Sequence, residues 1–257
     1  MPVGRKIFDA AGVLFGNARS IKSSTDFSMG GRQGLFVAAR HPGEWWKANK
    51  ESVKYARSTA YYDREMQNLH SSEWGKFIDA HNKNVLTGGR GHEEAYQNTD
   101  IFAGKTAKKA GIGHVVAGSE RAYVGGLTKL RHDVLVKAFR AYGDTPAEVE
   151  AALGAKNVDG LIETVATLTG RGGKKGGFTE KHIKSLGAAL FSPRLWASRL
   201  APLNPAFWER IGPAGRKEAM ESLGSFAAVA GVVLSSAASV GGEVETDPRS
   251  SDFLKIK

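Results

Sequence analysis

The sequence predicts a mainly α-helical protein, a multi-helix, bundle-like assembly with long loops and little or no β-structure. Apolar residues recur at helical spacing along most of the chain, whereas strict alternation of apolar and polar residues is nearly absent. Several prolines stand where the first turn of a helix would lie, as at Pro42, Pro146 and Pro205. Only Glu243–Glu245 and Phe253–Lys257, at the far end, have the composition of short strands.

The first predicted element is a short amphipathic helix from Gly4 to Asn17. This segment does not fit a secretory signal peptide, because its apolar run is short and Asp9 interrupts it. A helix lying on a membrane surface is the alternative interpretation.

The stretch from Glu44 to His81 is rich in aromatic residues, with lysine and arginine between them. Their helical spacing favours a buried core over stacking against single-stranded nucleic acid. One helix is expected to begin at Pro42 and another at Ser72-Glu73. Trp45 and Trp46 cannot share one helix face, so one of them is expected to be exposed or at an interface.

The helical signal fails between Asn82 and Gly104, a polar stretch with several glycines. A loop about twenty residues long is uncommon in a compact domain, so we expect this stretch to be functional, mobile or a boundary between two substructures. We therefore divide the chain into an N-terminal helical region (residues 1–85), a loop or linker (86–104) and a C-terminal helical domain (105–257).

The C-terminal region contains the clearest predicted helices. Ser119 is expected to cap a helix that runs to Tyr142, and Asn157–Thr169 forms another. Between them, Thr145 and Pro146 begin a helix that Glu148 stabilises with a capping box. The apolar stripes of the two longer helices are Tyr123, Leu127, Leu130, Val134 and Ala138 in one, and Val158, Leu161, Ile162, Val165 and Leu168 in the other.

A glycine-rich basic loop, Gly170–Gly177, precedes a helix that Thr179 is expected to cap. The loop lacks the Gly-Lys-Ser/Thr ending and the preceding strand of a nucleotide-binding P-loop. Its cations and one in the following helix are the candidates for contact with nucleic-acid phosphate: Arg171, Lys174, Lys175 and Lys181. A solvated connector is the competing interpretation.

The last predicted helix runs from Gly212 or Pro213 through Val240, and its Leu223–Val240 part has no charged residue. This part reaches the lower length limit for a membrane span, but its serines and alanines make it weakly apolar. A helix buried in the bundle is favoured; a helix that is soluble in one state and inserts into a bilayer in another is the alternative. The candidate membrane- or partner-contacting residues are Leu223, Phe226, Val229, Val233 and Leu234.

The composition excludes several kinds of chemistry. The chain has 257 residues, a net charge of +10 and no cysteine, so disulfides, thiol nucleophiles and cysteine-ligated metal sites are excluded. No hydrolase nucleophile elbow and no His-Glu-x-x-His pattern occurs. A metal or hydrolase site built from Asp79, His81 and His92-Glu93-Glu94 is disfavoured. We expect no metal, no cofactor and no enzymatic activity, and the positive charge favours acidic partners.

Three groups of short motifs in the C-terminal half carry a family resemblance. In chain order they are Gly118–Tyr123 with Leu130–Val134; Thr167–Gly172 with Leu190–Leu195 and Ala197–Arg199; and Leu203–Pro205 with Arg216–Ala219 and Glu243–Ile256. Their order and spacing resemble a domain of large phage polyvalent proteins and of phage internal virion proteins. Gly30–Gly34 and His41-Pro42 resemble the usual beginning of that region.

The resemblance implies a setting rather than a reaction, because the family offers no catalytic residues to transfer. It implies an internal or ejected helical virion protein that forms homo-oligomers near the portal or tail and assists genome delivery. Its expected partners are portal, tail or other internal proteins, packaged DNA without sequence specificity, and the host membrane after ejection. The alternative is a nucleic-acid-binding accessory module of a larger polyvalent protein. In similar sequences the chain continues past the position of Lys257, so we expect a longer polypeptide.

Overall fold

The protein is described by a computed structural model for residues 34–86, 112–171 and 193–245, together with Asp247, Ser250, Lys255 and Ile256. Within these ranges it is mainly α-helical, as predicted, with ten α-helices. Their bounds are α1 Leu35–Ala38, α2 Pro42–Arg57, α3 Thr59–Ser71, α4 Glu73–His81, α5 Ile112–Phe139, α6 Pro146–Leu153, α7 Ala155–Leu168, α8 Pro193–Leu200, α9 Pro205–Arg210 and α10 Gly212–Ser239.

The core forms where the long helix α5 meets α2 on one side and α7 on another, and α7 in turn supports α10. The stripes predicted for α5 and α7 are buried, except that Ala138 is half-buried. Phe139, at the end of α5, stacks on Trp74 with ring centroids 5.7 Å apart and meets Phe77 edge-on at 5.5 Å. The aromatic stretch therefore supplies core, as its helical spacing predicted.

The predicted helix starts at Pro42, Ser72 and Thr145 are confirmed. The Ser72 hydroxyl accepts a hydrogen bond from the Gly75 amide at 3.0 Å, and the Thr145 hydroxyl accepts one from the Glu148 amide at 3.3 Å. The Glu148 carboxylate reaches back to the amide of Asp144, not to that of Thr145 as a standard capping box would require.

The predicted start of α5 at Ser119 is wrong, because the helix already begins at Ile112 and Ser119 lies inside it. A serine followed by helix-favouring residues gives the same local pattern inside a helix as at its start. The end is also earlier than predicted: the helix stops at Phe139, and residues up to Tyr142 form a turn.

Of the two adjacent tryptophans, Trp46 is exposed while Trp45 packs against the core, as expected. Among the described residues of the strands suggested at the far end, Val244 and Ile256 form an antiparallel bridge. Two predicted helices, Gly4–Asn17 and the one capped by Thr179, lie outside the described residues, as does nearly all of the 86–104 loop.

Candidate functional site: an anchored apolar helix

Helix α10 consists of two halves with different chemistry. Its first half, Gly212–Ser222, contributes buried residues to the body of the protein. Its second half begins at Leu223 and is mostly exposed, and no charged residue occurs between Glu221 and Glu243. The first half fixes the position of the second.

The first half of α10 crosses α7 at very close range. A Cβ atom at Gly160 of α7 would overlap the backbone carbonyl of Ile211, and one at Gly215 would lie 2.8 Å from the carbonyl oxygen of Gly160. The Thr164 side chain fills the remaining space. Its hydroxyl donates a hydrogen bond to the carbonyl oxygen of Gly160 at 2.8 Å. Only glycine at these two positions allows the backbones to approach so closely.

A buried polar cluster, which we call the anchor, joins α10 to the start of α2. The Glu218 carboxylate lies 2.8 Å from Nε2 of His41, and it accepts hydrogen bonds from Ser222 at 3.0 Å and from Arg40 at 3.2 Å. Arg40 also pairs with Glu221. His41 and Glu218 are almost fully buried. Three side chains from two distant parts of the sequence, Arg40, His41 and Ser222, thus converge on the Glu218 carboxylate.

The anchor lowers the pKa of Glu218. Burial by itself would raise the pKa of this carboxyl, but the hydrogen bond from His41, the charges of His41 and Arg40, and the Ser222 hydroxyl outweigh it. The ionised carboxylate is therefore favoured in the folded protein. Because the folded-state pKa is depressed, the stabilisation is present above the ordinary pKa of 4.5 and is lost as the pH falls through the folded value.

We expect acid to destabilise the native protein more than it destabilises Glu218→Gln. Between neutral pH and a pH below 4.5, the native protein should lose more unfolding free energy than Glu218→Gln does. Denaturant unfolding at the two pH values measures this difference. Glu209→Gln, which removes an exposed carboxylate from α9, is the control and should retain the native pH response. Equal acid sensitivity of all three proteins would contradict the prediction.

A cavity of about 290 Å³ adjoins the anchor, and its polar lining residues are Arg40, His41, Lys137, Tyr142, Lys217 and Glu218. Its charges are largely matched, because Lys137 donates to Glu44 at 3.0 Å while Arg40 is held by the anchor carboxylates. The Ser222 hydroxyl donates to Glu218, not to His41. A nucleophile must contact its base, so the anchor does not assemble a hydrolase relay.

The second half of α10 is exposed over most of its circumference. Apart from Ser225, the less exposed positions form one stripe: Leu223, Phe226, Ala230, Leu234 and Ala237. At about 100° per residue, the exposed positions cover roughly two thirds of the circumference. Val229, Val232 and Val233 are exposed by 50%, 66% and 53%. Phe226 touches the body through an edge contact with Phe36, at 5.0 Å between ring centroids.

The prediction that Leu223–Val240 is buried in the bundle is therefore wrong. Of the five residues proposed for membrane or partner contact, Leu223 and Phe226 face the body, Leu234 is half-buried, and Val229 and Val233 are exposed. Within the described residues, α10 is the one helix long and apolar enough to cross a membrane, and only 6% of its most apolar stretch is buried.

Of the four residues proposed for phosphate contact, Arg171 alone lies within the described residues. Arg171 is half-buried, and its guanidinium donates to the backbone carbonyl of Val85 at 3.4 Å. This contact gives Arg171 a structural role at the end of α7. Lys174, Lys175 and Lys181 lie outside the described residues.

Asp79 and His81, the described residues considered for a metal site, have other partners. His70 pairs with Asp79 at 2.7 Å, and His81 pairs with Asp159 at 2.8 Å. In the described ranges, no group of three histidine, aspartate or glutamate side chains is placed to hold a metal ion. The His92-Glu93-Glu94 run lies outside those ranges.

Polar residues of the quoted motifs join helices. Arg131 is fully buried and donates to the hydroxyl and the carbonyl of Thr169 at 3.0 and 3.1 Å. Arg121 of α5 donates to the backbone carbonyls of Tyr55 and Ala56 at the end of α2. Sequence reasoning missed the anchor. Its one signal was the pair Glu218 and Ser222, four residues apart in the first half of α10.

No protein-family model, curated protein or solved structure matches the chain. The motif resemblance to phage proteins therefore stays a prediction.

Proposed function

We propose that this protein is a non-enzymatic component of a phage particle, an internal or ejected helical protein that assists genome delivery. The observation that carries the proposal is the second half of α10. This half is uncharged and largely exposed, so the folded protein requires an apolar partner that covers it. A delivery protein, which leaves one assembly and enters another, needs such a surface to be available.

The use of polar residues in the body supports a structural role. Arg121, Arg131, Glu218 and Arg171, all within the quoted motifs, contact backbone or side chains at helix ends and crossings. Such contacts hold a scaffold together, whereas catalysis needs a nucleophile and a base facing an open site. The His41–Glu218 pair is buried and joins α10 to the start of α2.

Particle composition tests the proposal. Quantitative mass spectrometry of purified particles of the phage that encodes this chain should detect the protein in a fixed, small copy number that remains after nuclease and high-salt washes. Particles collected after they have emptied onto host cells should have lost it. Absence from washed particles would overturn the proposal. A single copy number per particle that is a multiple of a portal or tail symmetry would agree with homo-oligomerisation.

DNA binding by the purified protein tests the nucleic-acid alternative. That role predicts binding of the purified protein to DNA with a strong dependence on salt, because neutralised phosphates release counterions. It also predicts that Lys174→Ala with Lys175→Ala weakens the binding. Arg171 is less suited to such a site, because its guanidinium already donates a hydrogen bond to the backbone carbonyl of Val85.

A further inference from the structure

We infer that the second half of α10 inserts into a lipid bilayer, with the acyl chains as the partner that covers it. The inference takes its setting, a host envelope, from the proposed function, but its physical basis is α10 alone. The uncharged helical stretch from Leu223 to Ser239 is about 26 Å long, close to the roughly 30 Å thickness of a bilayer's hydrocarbon layer.

The breadth of the exposed surface favours lipid over a second copy of the chain. One partner helix covers a stripe about 100° wide, which is less than half of the exposed arc. Ala227, Ala228 and Val229 are consecutive and all exposed, so they face three different directions. Lipid surrounds a helix on every side, and a helix that is apolar all round is typical of that surrounding.

The polar atoms of the stretch are compatible with hydrocarbon. Its backbone groups are satisfied within the helix, as a spanning segment requires. The Ser239 hydroxyl donates to the carbonyl of Ser236 at 2.8 Å, which shows how a serine here satisfies itself without water. Gly224 and Gly231 have no heavy atom within 4 Å of where a Cβ would be, so the body does not cover them.

The charges at both ends fit a span between two polar surfaces. Arg216 and Lys217 lie on the exposed side of the first half, and Glu243 follows the last turn. The anchor keeps the first half fixed to the body, so the body would rest against one headgroup layer. The chain as a whole carries a net charge of +10, which favours association with anionic phospholipid.

The chain has no cysteine, so single-cysteine variants report on one position each. We choose Val233→Cys in the second half of α10 and Val53→Cys on α2, both replacing exposed valines. Each is labelled with an environment-sensitive fluorophore and mixed with vesicles of phosphatidylethanolamine and phosphatidylglycerol. The label at position 233 should shift to shorter wavelength and be quenched by lipids that carry a nitroxide on the acyl chain. The label at position 53 should do neither.

Three results would overturn the inference. The first is a label at position 233 that does not respond to vesicles. The second is a wavelength shift without quenching by the nitroxide lipids, which would make a second copy or another segment of the chain the partner. The third is vesicle binding that a high-salt wash removes completely, which would mean surface attraction only. Because purified protein and synthetic vesicles are used, the particle assay can fail while this one succeeds, and the reverse.

A charge variant gives an independent readout. Val229→Asp with Val233→Asp places two carboxylates in the exposed arc, where neither replaces a core contact. Each charge near the middle of a span should weaken insertion by roughly a hundredfold, so salt-resistant flotation with vesicles should disappear. Val53→Asp is the matched control and should float like the native protein. Unchanged flotation of the double variant would also overturn the inference.

Discussion

Replacing Gly160 by alanine is expected to lower the free energy of unfolding by about 3 kcal/mol, because the new methyl group has no space. It would overlap the carbonyl group of Ile211, which belongs to the backbone and cannot move aside as a flexible side chain would. The only relief is to move α10 away from α7. That movement also opens the contact of Gly215 with Thr164, so the loss extends along the crossing.

Chemical denaturation followed by circular dichroism measures this loss. The matched control is Gly224→Ala, a helical glycine on α10 with nothing within 4 Å of the added Cβ. Alanine is the better helix former, so this control should be as stable as the native protein or more stable by up to about 1 kcal/mol. The prediction fails if Gly160→Ala and Gly224→Ala unfold at the same denaturant concentration.

Replacing Arg131 by alanine is expected to cost roughly 3–5 kcal/mol, since it removes both hydrogen bonds and packing from a fully buried position. The guanidinium donates to Thr169, the residue that ends α7, where the carbonyl ends of the helix carry partial negative charge. The variant therefore leaves a cavity beside α5 and deprives the end of α7 of its donor.

Two further substitutions separate volume from hydrogen bonding. Arg131→Met keeps most of the volume without the donors, and Thr169→Val keeps the shape of that side chain without the hydroxyl. We expect Arg131→Met to unfold at a denaturant concentration between those of the native protein and Arg131→Ala. If Arg131→Met were as stable as the native protein, packing alone would explain the role of this arginine.

The helical fold was predictable because its signals are local. The stripe that includes Leu127 and Leu130 and the start at Thr145 each depend on residues within a few turns of one another. Ser119 shows the limit of such signals, because a serine that would cap one helix lies inside another.

The candidate site was predictable only in part. The sequence showed that the stretch after Glu221 is uncharged, and it suggested a membrane or another protein as the partner. It did not show that the stretch is exposed. Exposure depends on which other helices have apolar surface left to cover it, and that is decided by the whole fold. The anchor was not predictable because His41 and Glu218 are 177 positions apart in the sequence.

The unequal support of α10 has a consequence for its own hydrogen bonds. The first half is held by tertiary contacts, so its amides are protected to nearly the full stability of the body. The second half depends on its own propensity in water, and glycine, valine and serine are frequent in it. A helix of that length without packing is marginal, so its outer turns open and close rapidly. The rate of amide hydrogen exchange should therefore rise abruptly along this one helix just after Ser222. An apolar surrounding would remove this difference in rate, because it would stabilise the helical fold of the second half.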